Sequence, residues 1–292
     1  MADTGPGEAS VHVLLVVTVA TADAEYAADI LWAAGAQAVE EIHNETSVDL
    51  RTDLGVDPLT AWDAVVAKNP LLRDWSVRTD EVDARVADNW RAHASPSVVG
   101  NVRIVPAWLA NTLGVDPNDS DPHGMTTVLI EPGGSFGIGD HPTTRATLAL
   151  ALRAPGTNIL DLGCGSGVLG VALCLTRRAR IVAIDIAPAA VEATRHNTTL
   201  NGVDGWIIVE QGDVRGVRGT YDLVLANILA PVLLADAHDI ASRVAARGTL
   251  ILSGFTETRR ADIIEAYSTL GLSLCDEAEV DGWLALQFES VE

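Results

Sequence analysis

From residue 143 to residue 289 the chain alternates apolar runs of strand length with stretches whose apolar residues recur at helical spacing. The pattern predicts helices over 143–153, 168–176, 188–200, 231–246 and 257–270. It predicts strands over 158–162, 180–186, 206–211, 221–227, 249–253, 272–280 and 283–289. Strands that are apolar throughout and separated by helices must be covered on both faces, which requires a mostly parallel sheet with a helical layer on each side. The last two strands follow one another directly and predict an antiparallel hairpin at the edge. The expected fold class is therefore α/β: a seven-stranded, mostly parallel, Rossmann-like sheet. Such a sheet binds its ligand at the carboxyl ends of its strands, where the strand order reverses.

The first 83 residues follow a different plan. Strands over 11–19, 38–43, 47–52 and 75–82 and helices over 22–36 and 58–68 give the order β-α-β-β-α-β, a small ferredoxin-like α+β unit. Residues 84–140 read as a connector, with a helix over 86–94, strands over 98–105 and 126–131, and an acidic, turn-rich exposed loop at 114–124. Residues 141–292 form the third segment. The apolar run 11–20 follows acids rather than basic residues and is too short to span a bilayer, so neither a membrane anchor nor a signal peptide is expected. A formal net charge of −21 disfavours direct nucleic-acid binding and favours a basic partner. The three cysteines, Cys164, Cys174 and Cys275, have no disulfide or metal spacing. Cys174 and Cys275 lie in apolar segments and read as core filler, which fits a reduced, cytoplasmic compartment.

The chemistry concentrates in Asn158–Gly170, NILDLGCGSGVLG. Gly165, Gly167 and Gly170 satisfy the dinucleotide spacing G-x-G-x-x-G, and Asp185 follows 20 residues after Gly165. Asp161, however, ends the strand just before the glycines. In a dinucleotide enzyme the pyrophosphate rests on the helix N-terminus, and a carboxylate beside it would repel it. A carboxylate there suits a cationic ligand, and S-adenosylmethionine carries a sulfonium and an ammonium with no phosphate. Asp185 ends the next strand, placed to accept hydrogen bonds from two ribose hydroxyls, which both nucleotides present. Asp213, after the third strand, and Asn227, ending the fourth, complete a series along one edge. His141-Pro142 marks a helix start, with Thr143 and Thr144 in its first turn. His141 has no partner at ligand spacing, so no metal is expected.

DLGCGSG resembles the first motif of class I methyltransferases. Together with FGIGDHPTT, AIDIAPAAVEATRHN, NGV and ANILA it resembles the ribosomal protein L-eleven methyltransferase (PrmA) family, a class I methyltransferase domain joined to a small ferredoxin-like substrate-recognition domain. The likeness covers the third segment well, reaches Asn89-Trp90 and Val105-Pro106 in the connector, and is weaker over the first 80 residues. It implies a donor site at Thr144, Asp161, Gly163, Gly165, Asp185, Asp213 and Asn227. Asp161 would lie near the donor's amino group, Asp213 would accept from the adenine amine, and Asn227 would be the catalytic residue beside the transferred methyl. It further implies S-adenosylmethionine as methyl donor, S-adenosylhomocysteine as product, and a basic ribosomal protein methylated at lysine or N-terminal amines. The family's usual F-G-T-G-T-H-P-T-T is altered here by Ile138 and Asp140. Alternative readings are another protein-lysine or small-molecule N-methyltransferase, a nicotinamide-dependent dehydrogenase and a non-catalytic binding module. Asp161, Asp213 and Asn227 in series argue against the dehydrogenase, and intact donor motifs against the binding module.

Overall fold

The computed structural model describes residues 11–34, 36, 39–52, 54, 57–68, 72–73, 75–83, 94–115, 124–131 and 139–290. The helix expected over 86–94 (Ala94 apart), the Asn89-Trp90 pair, most of the acidic loop and Phe136–Ile138 lie outside them. The chain divides into two compact units, Met1–Ala94 and Ser95–Glu292.

In the first unit β1 (Val11–Ala20), β2 (Val39–His43), β3 (Ser47–Thr52) and β4 (Ser76–Asp83) form one antiparallel sheet in the order β2-β3-β1-β4. Helices Ala24–Ala33 and Pro58–Lys68 fall between β1 and β2 and between β3 and β4, which is the split βαβ arrangement. Alternation explains the layering. Along β3, Val48, Leu50 and Thr52 are buried, while Ser47, Asp49 and Arg51 face the other way. The buried set joins Leu15, Val17 and Val19 of β1 with Leu31 and Trp62 of the helices. The polar face is tied by Thr18 Oγ1 donating to Asp49 at 2.6 Å and by Arg78 pairing with Asp49 at 2.9 Å. Pro58 starts its helix because Asp57 caps it, accepting from Thr60 N–H at 3.1 Å.

The second unit is built on β8 (Asn158–Leu162), β9 (Arg180–Asp185), β10 (Ile207–Gln211), β11 (Tyr221–Asn227), β12 (Val244–Thr256), β13 (Leu272–Val280) and β14 (Trp283–Ser290). Their order is β10-β9-β8-β11-β12-β14-β13. β8 to β12 are parallel, and β14 runs antiparallel between β12 and β13. Neighbouring residues of β8 serve opposite cores: Ile159 packs with Val171 and Leu173 on one face, Leu160 and Leu162 with Leu233 and Phe255 on the other. A small sheet of β5 (Ser97–Val99), β6 (Val102–Pro106) and β7 (Thr126–Ile130) joins the first of these cores through Val102, Ile104, Val128 and Ile130.

Three sequence expectations are corrected. The single strand expected over 98–105 is a hairpin: Val99 pairs with Val102 across Gly100-Asn101, and Gly100 takes φ +56°. The helix expected over 231–246 is two short helices, Ala230–Ala235 and Ala237–Ala241, and the chain enters β12 at Val244, which pairs with Tyr221. Its alanines suit a helix, but pairing with β11 claims the segment's end. Cys275 is exposed rather than core, because a register shift in β13 between Leu274 and Asp276 leaves it unpaired in an edge strand. Among the described residues no helix is long and apolar enough to cross a membrane.

Candidate functional site

The strand order reverses at β8, whose neighbours are β9 on one side and β11 on the other. A crevice opens at the carboxyl ends of strands at such a point. The turn leaving β8 is folded by its glycines: Gly163, Gly165 and Gly167 all have positive φ. Gly163 and Cys164 N–H donate to the Ile184 carbonyl at 2.8 and 3.1 Å, fastening the turn to β9. A Cβ on Gly163 would overlap Ile228 Cγ2, so the residue after Asn227 packs against the turn after β8. Cys164 points inward to Thr194 Oγ1 at 3.3 Å, and burial pushes its thiol well up, away from thiolate chemistry.

Gly170 has a separate reason. It lies in the first turn of the Val168–Arg177 helix, and its N–H donates to Asp161 Oδ2 at 3.2 Å. A Cβ on Gly170 would sit 3.3 Å from that oxygen. The helix N-terminus therefore already holds a carboxylate at the place where a dinucleotide enzyme holds pyrophosphate. Asp161 is 1% exposed. Burial raises its pKa from 3.8 to about 7, opposed by the Gly170 N–H and reinforced by the Asp185 charge. Such a group favours a cationic ligand and disfavours an anionic one.

Asp185 anchors the next strand end. Its Oδ2 accepts from Gly165 N–H at 3.0 Å and its Oδ1 from Ala187 N–H at 2.9 Å. Each carboxylate oxygen has a second lone pair, so hydroxyl donors can still be received. Beside it Ile186 is 69% exposed, an apolar surface at the rim that sequence reasoning passed over. Its signal was a lone apolar residue directly after a strand-ending acid. Asp213 is exposed in the turn after β10, where Oδ1 accepts from Arg215 N–H at 2.9 Å. Asn227 is partly exposed at the end of β11, and its amide has no hydrogen-bond partner among the described residues.

The Pro142–Ala151 helix starts at the cap His141, whose Nδ1 accepts from Thr143 N–H at 3.3 Å and lies 2.8 Å from Thr143 Oγ1. Burial lowers the His141 pKa, opposed by Asp140, which favours the neutral ring that can cap. Trp283, at the start of β14, meets this ring edge-on at 5.3 Å. Of the two threonines, Thr143 is committed to the cap, and Thr144 is buried beside it at 1% exposure.

Two further residues, missed from sequence, hold the frame. Asn197 is fully buried; its amide donates to the Glu131 and Ser166 carbonyls at 2.8 Å each and accepts from Glu131 N–H at 2.9 Å. Asn201 makes the same paired contact with Leu129, accepting at 2.9 Å and donating at 2.7 Å. They bind the end of β7 to the glycine turn through the Pro188–Leu200 helix and its cap. Two asparagines four apart share one helical face, which was the available signal. Among the described residues no group of three or more His, Cys, Asp or Glu is placed to hold a metal.

Comparison with known proteins matches residues 16–290 to the family described as "Ribosomal protein L11 methyltransferase (PrmA)". A ribosomal protein L11 methyltransferase of Geobacter metallireducens is 35% identical over 207 residues, 70% of this chain and 66% of the relative. One from an Exiguobacterium strain is 33% identical over 204 residues, 68% of this chain and 63% of the relative. The chain thus spans slightly less than two thirds of the length of these relatives. The crystal structure of a ribosomal protein L11 methylase from Lactobacillus delbrueckii subsp. bulgaricus superposes with a TM-score of 0.56 at 24% identity, covering 67% of this chain and 99% of that one.

Proposed function

The chain belongs to the ribosomal protein L11 methyltransferase (PrmA) family, and from that premise we propose that it transfers methyl groups from S-adenosylmethionine to amines of ribosomal protein L11. The observation that carries the donor assignment is Asp161: a buried carboxylate on the N-terminus of the Val168–Arg177 helix suits a donor bearing ammonium and sulfonium charges and repels a diphosphate.

In this reading the backbone at Gly163 and Gly165 lies against the methionine part of the donor, with Asp161 near its ammonium. Asp185 accepts from the ribose hydroxyls, Ile186 offers an apolar surface to the adenine, and Asp213 accepts from the adenine amine. Thr144 offers its hydroxyl at the helix start. Asn227 is the catalytic residue: its side-chain oxygen and the following backbone receive the N–H groups of the incoming amine. The donor supplies an activated methyl on a good thioether leaving group, and S-adenosylhomocysteine is the product.

The task left to the protein is to align a neutral amine with that methyl. Deprotonating a free lysine at pH 7.5 costs about 4 kcal/mol, whereas an α-amine costs under about 1 kcal/mol. Asn227 cannot take up a proton, so the amine loses it to water before it enters the crevice. The segment of residues 1–83 recognises the protein substrate, with residues 84–140 connecting it to the transferase. The charge of −21 supports a basic acceptor in the cytoplasm, and neither nucleic acid nor a membrane enters the proposal.

Labelled S-adenosylmethionine, incubated with the protein and an extract of cells lacking its gene, tests this. A single labelled band at the mass of ribosomal protein L11, absent with Asp185→Ala, is the expected result. Label in another protein or in a small molecule would reject the acceptor and keep the chemistry. No donor binding would reject both.

A further inference from the structure

We propose that Arg215 is a positioning residue for the adenine end of the donor site, acting through Asp213; the proposal rests on the reading of Asp213 given above. The turn after β10 is fixed from below, where Val214 and Val217 are buried in the sheet's core. Asp213 itself is exposed, and both of its carboxylate oxygens meet Arg215. The backbone N–H of Arg215 donates to Asp213 Oδ1 at 2.9 Å, and its guanidinium Nη1 lies 3.4 Å from Asp213 Oδ2.

The same guanidinium reaches the segment that follows β11. Its Nη2 pairs with Asp236 Oδ1, and its Nε lies 3.4 Å from Asp239 Oδ2. Asp236 is the break between helices Ala230–Ala235 and Ala237–Ala241, and its side chain is only 14% exposed. One planar, permanently charged fork thus spans three carboxylates, one in the turn after β10 and two in the segment after β11. Without it, Asp213 would face Asp236 and Asp239 with like charge and no cation between them, and only the backbone N–H of residue 215 would still hold its Oδ1, leaving Oδ2 free to swing away.

Because the segment after β11 follows directly on Asn227, Arg215 ties the turn proposed to meet the adenine to the chain leaving the proposed methyl-transfer position. Its consequence is specificity. A fixed acceptor opposite the purine 6-position favours adenine, which presents an N–H there, over hypoxanthine, which presents a carbonyl oxygen. A site built to receive a hydrogen bond discriminates strongly against the analogue that cannot give it.

The test is calorimetric binding of S-adenosylhomocysteine and S-inosylhomocysteine to the native protein, Asp213→Ala, Arg215→Ala, Arg215→Lys and the Asp213→Ala/Arg215→Ala pair. Arg215→Ala is expected to reduce the preference for adenine about fivefold, the scale that a network of partly exposed ion pairs supplies. Arg215→Lys should restore part of it, and Arg215→Ala should add nothing once Asp213 is alanine. A general loosening of the fold would weaken both ligands equally and leave the preference unchanged. If Asp213→Ala loses the preference and Arg215→Ala keeps it, the positioning role is overturned while the donor reading stands. If Asp213→Ala keeps the native preference, the reading of Asp213 fails and the proposal with it.

Discussion

If the donor's ammonium lies beside Asp161 as proposed, donor affinity should depend on pH in the native protein, and replacing Asp161 by Asn should abolish that dependence. Asp161 is 1% exposed, receives one backbone N–H and has its pKa raised from 3.8 to about 7. A cationic donor binds the ionised form. At pH 6 only about a tenth of the unliganded protein has Asp161 ionised, against about nine tenths at pH 8, so affinity for S-adenosylhomocysteine should weaken about tenfold from pH 8 to pH 6. Binding at pH 6 should release close to one proton, countable by calorimetry in buffers of different ionisation enthalpy. The donor's own amine titrates identically with either protein, so the difference between native and Asp161→Asn isolates the carboxylate.

Stability follows with the opposite benefit. A carboxyl whose pKa is raised on folding contributes stability that is whole below pH 3.8 and is lost as pH rises through about 7, a total of about 4 kcal/mol. Unliganded Asp161→Asn should therefore melt higher than the native protein at pH 8 while binding the donor more weakly. Equal affinities at pH 6 and pH 8 with no proton release, or the same slope in Asp161→Asn, would refute the argument.

Two further outcomes follow from the packing around the turn. Gly163→Ala places a methyl at φ +68° and against Ile228 Cγ2; the backbone cost alone is about 1–2 kcal/mol. Donor binding should fall sharply, and Ile228→Ala in the same chain should recover part of it by removing the overlap, as titration of the single and double variants will show. Asn197→Ala removes three hydrogen bonds made by a fully buried amide to Glu131 and Ser166. Thermal or urea unfolding should show a loss of about 2–4 kcal/mol, at about 1 kcal/mol per hydrogen bond lost.

Elements whose ends are set by local chemistry were legible in the sequence. Pro58–Lys68 and Pro188–Leu200 begin at proline, β8 stops at Leu162 before the glycines, and β11 ends at the polar Asn227; all four have the expected bounds. Elements whose ends are set by distant partners were not. The alanine-rich segment before β12 follows β11 rather than its own helix propensity, and Gly100-Asn101 makes a hairpin of what reads as one strand.

The site divides the same way. The acid at 161 was legible as hostile to phosphate because strand, acid and glycines are contiguous. Its bond to Gly170 N–H was not, nor were the reach of Asn197 to Glu131 across 66 residues and of Arg215 to Asp236 across 21. The glycine spacing itself is a weaker signal than the residue before it. Gly165, Gly167 and Gly170 fit the dinucleotide pattern residue for residue, yet here the third glycine, besides letting the helix lie close to Ile181 of β9, makes room for a carboxylate. Once Asp161 takes the helix N-terminus, the charge preference of the whole turn is inverted, so under the proposed donor assignment the same glycines that would cradle an anion would line a site for a cation.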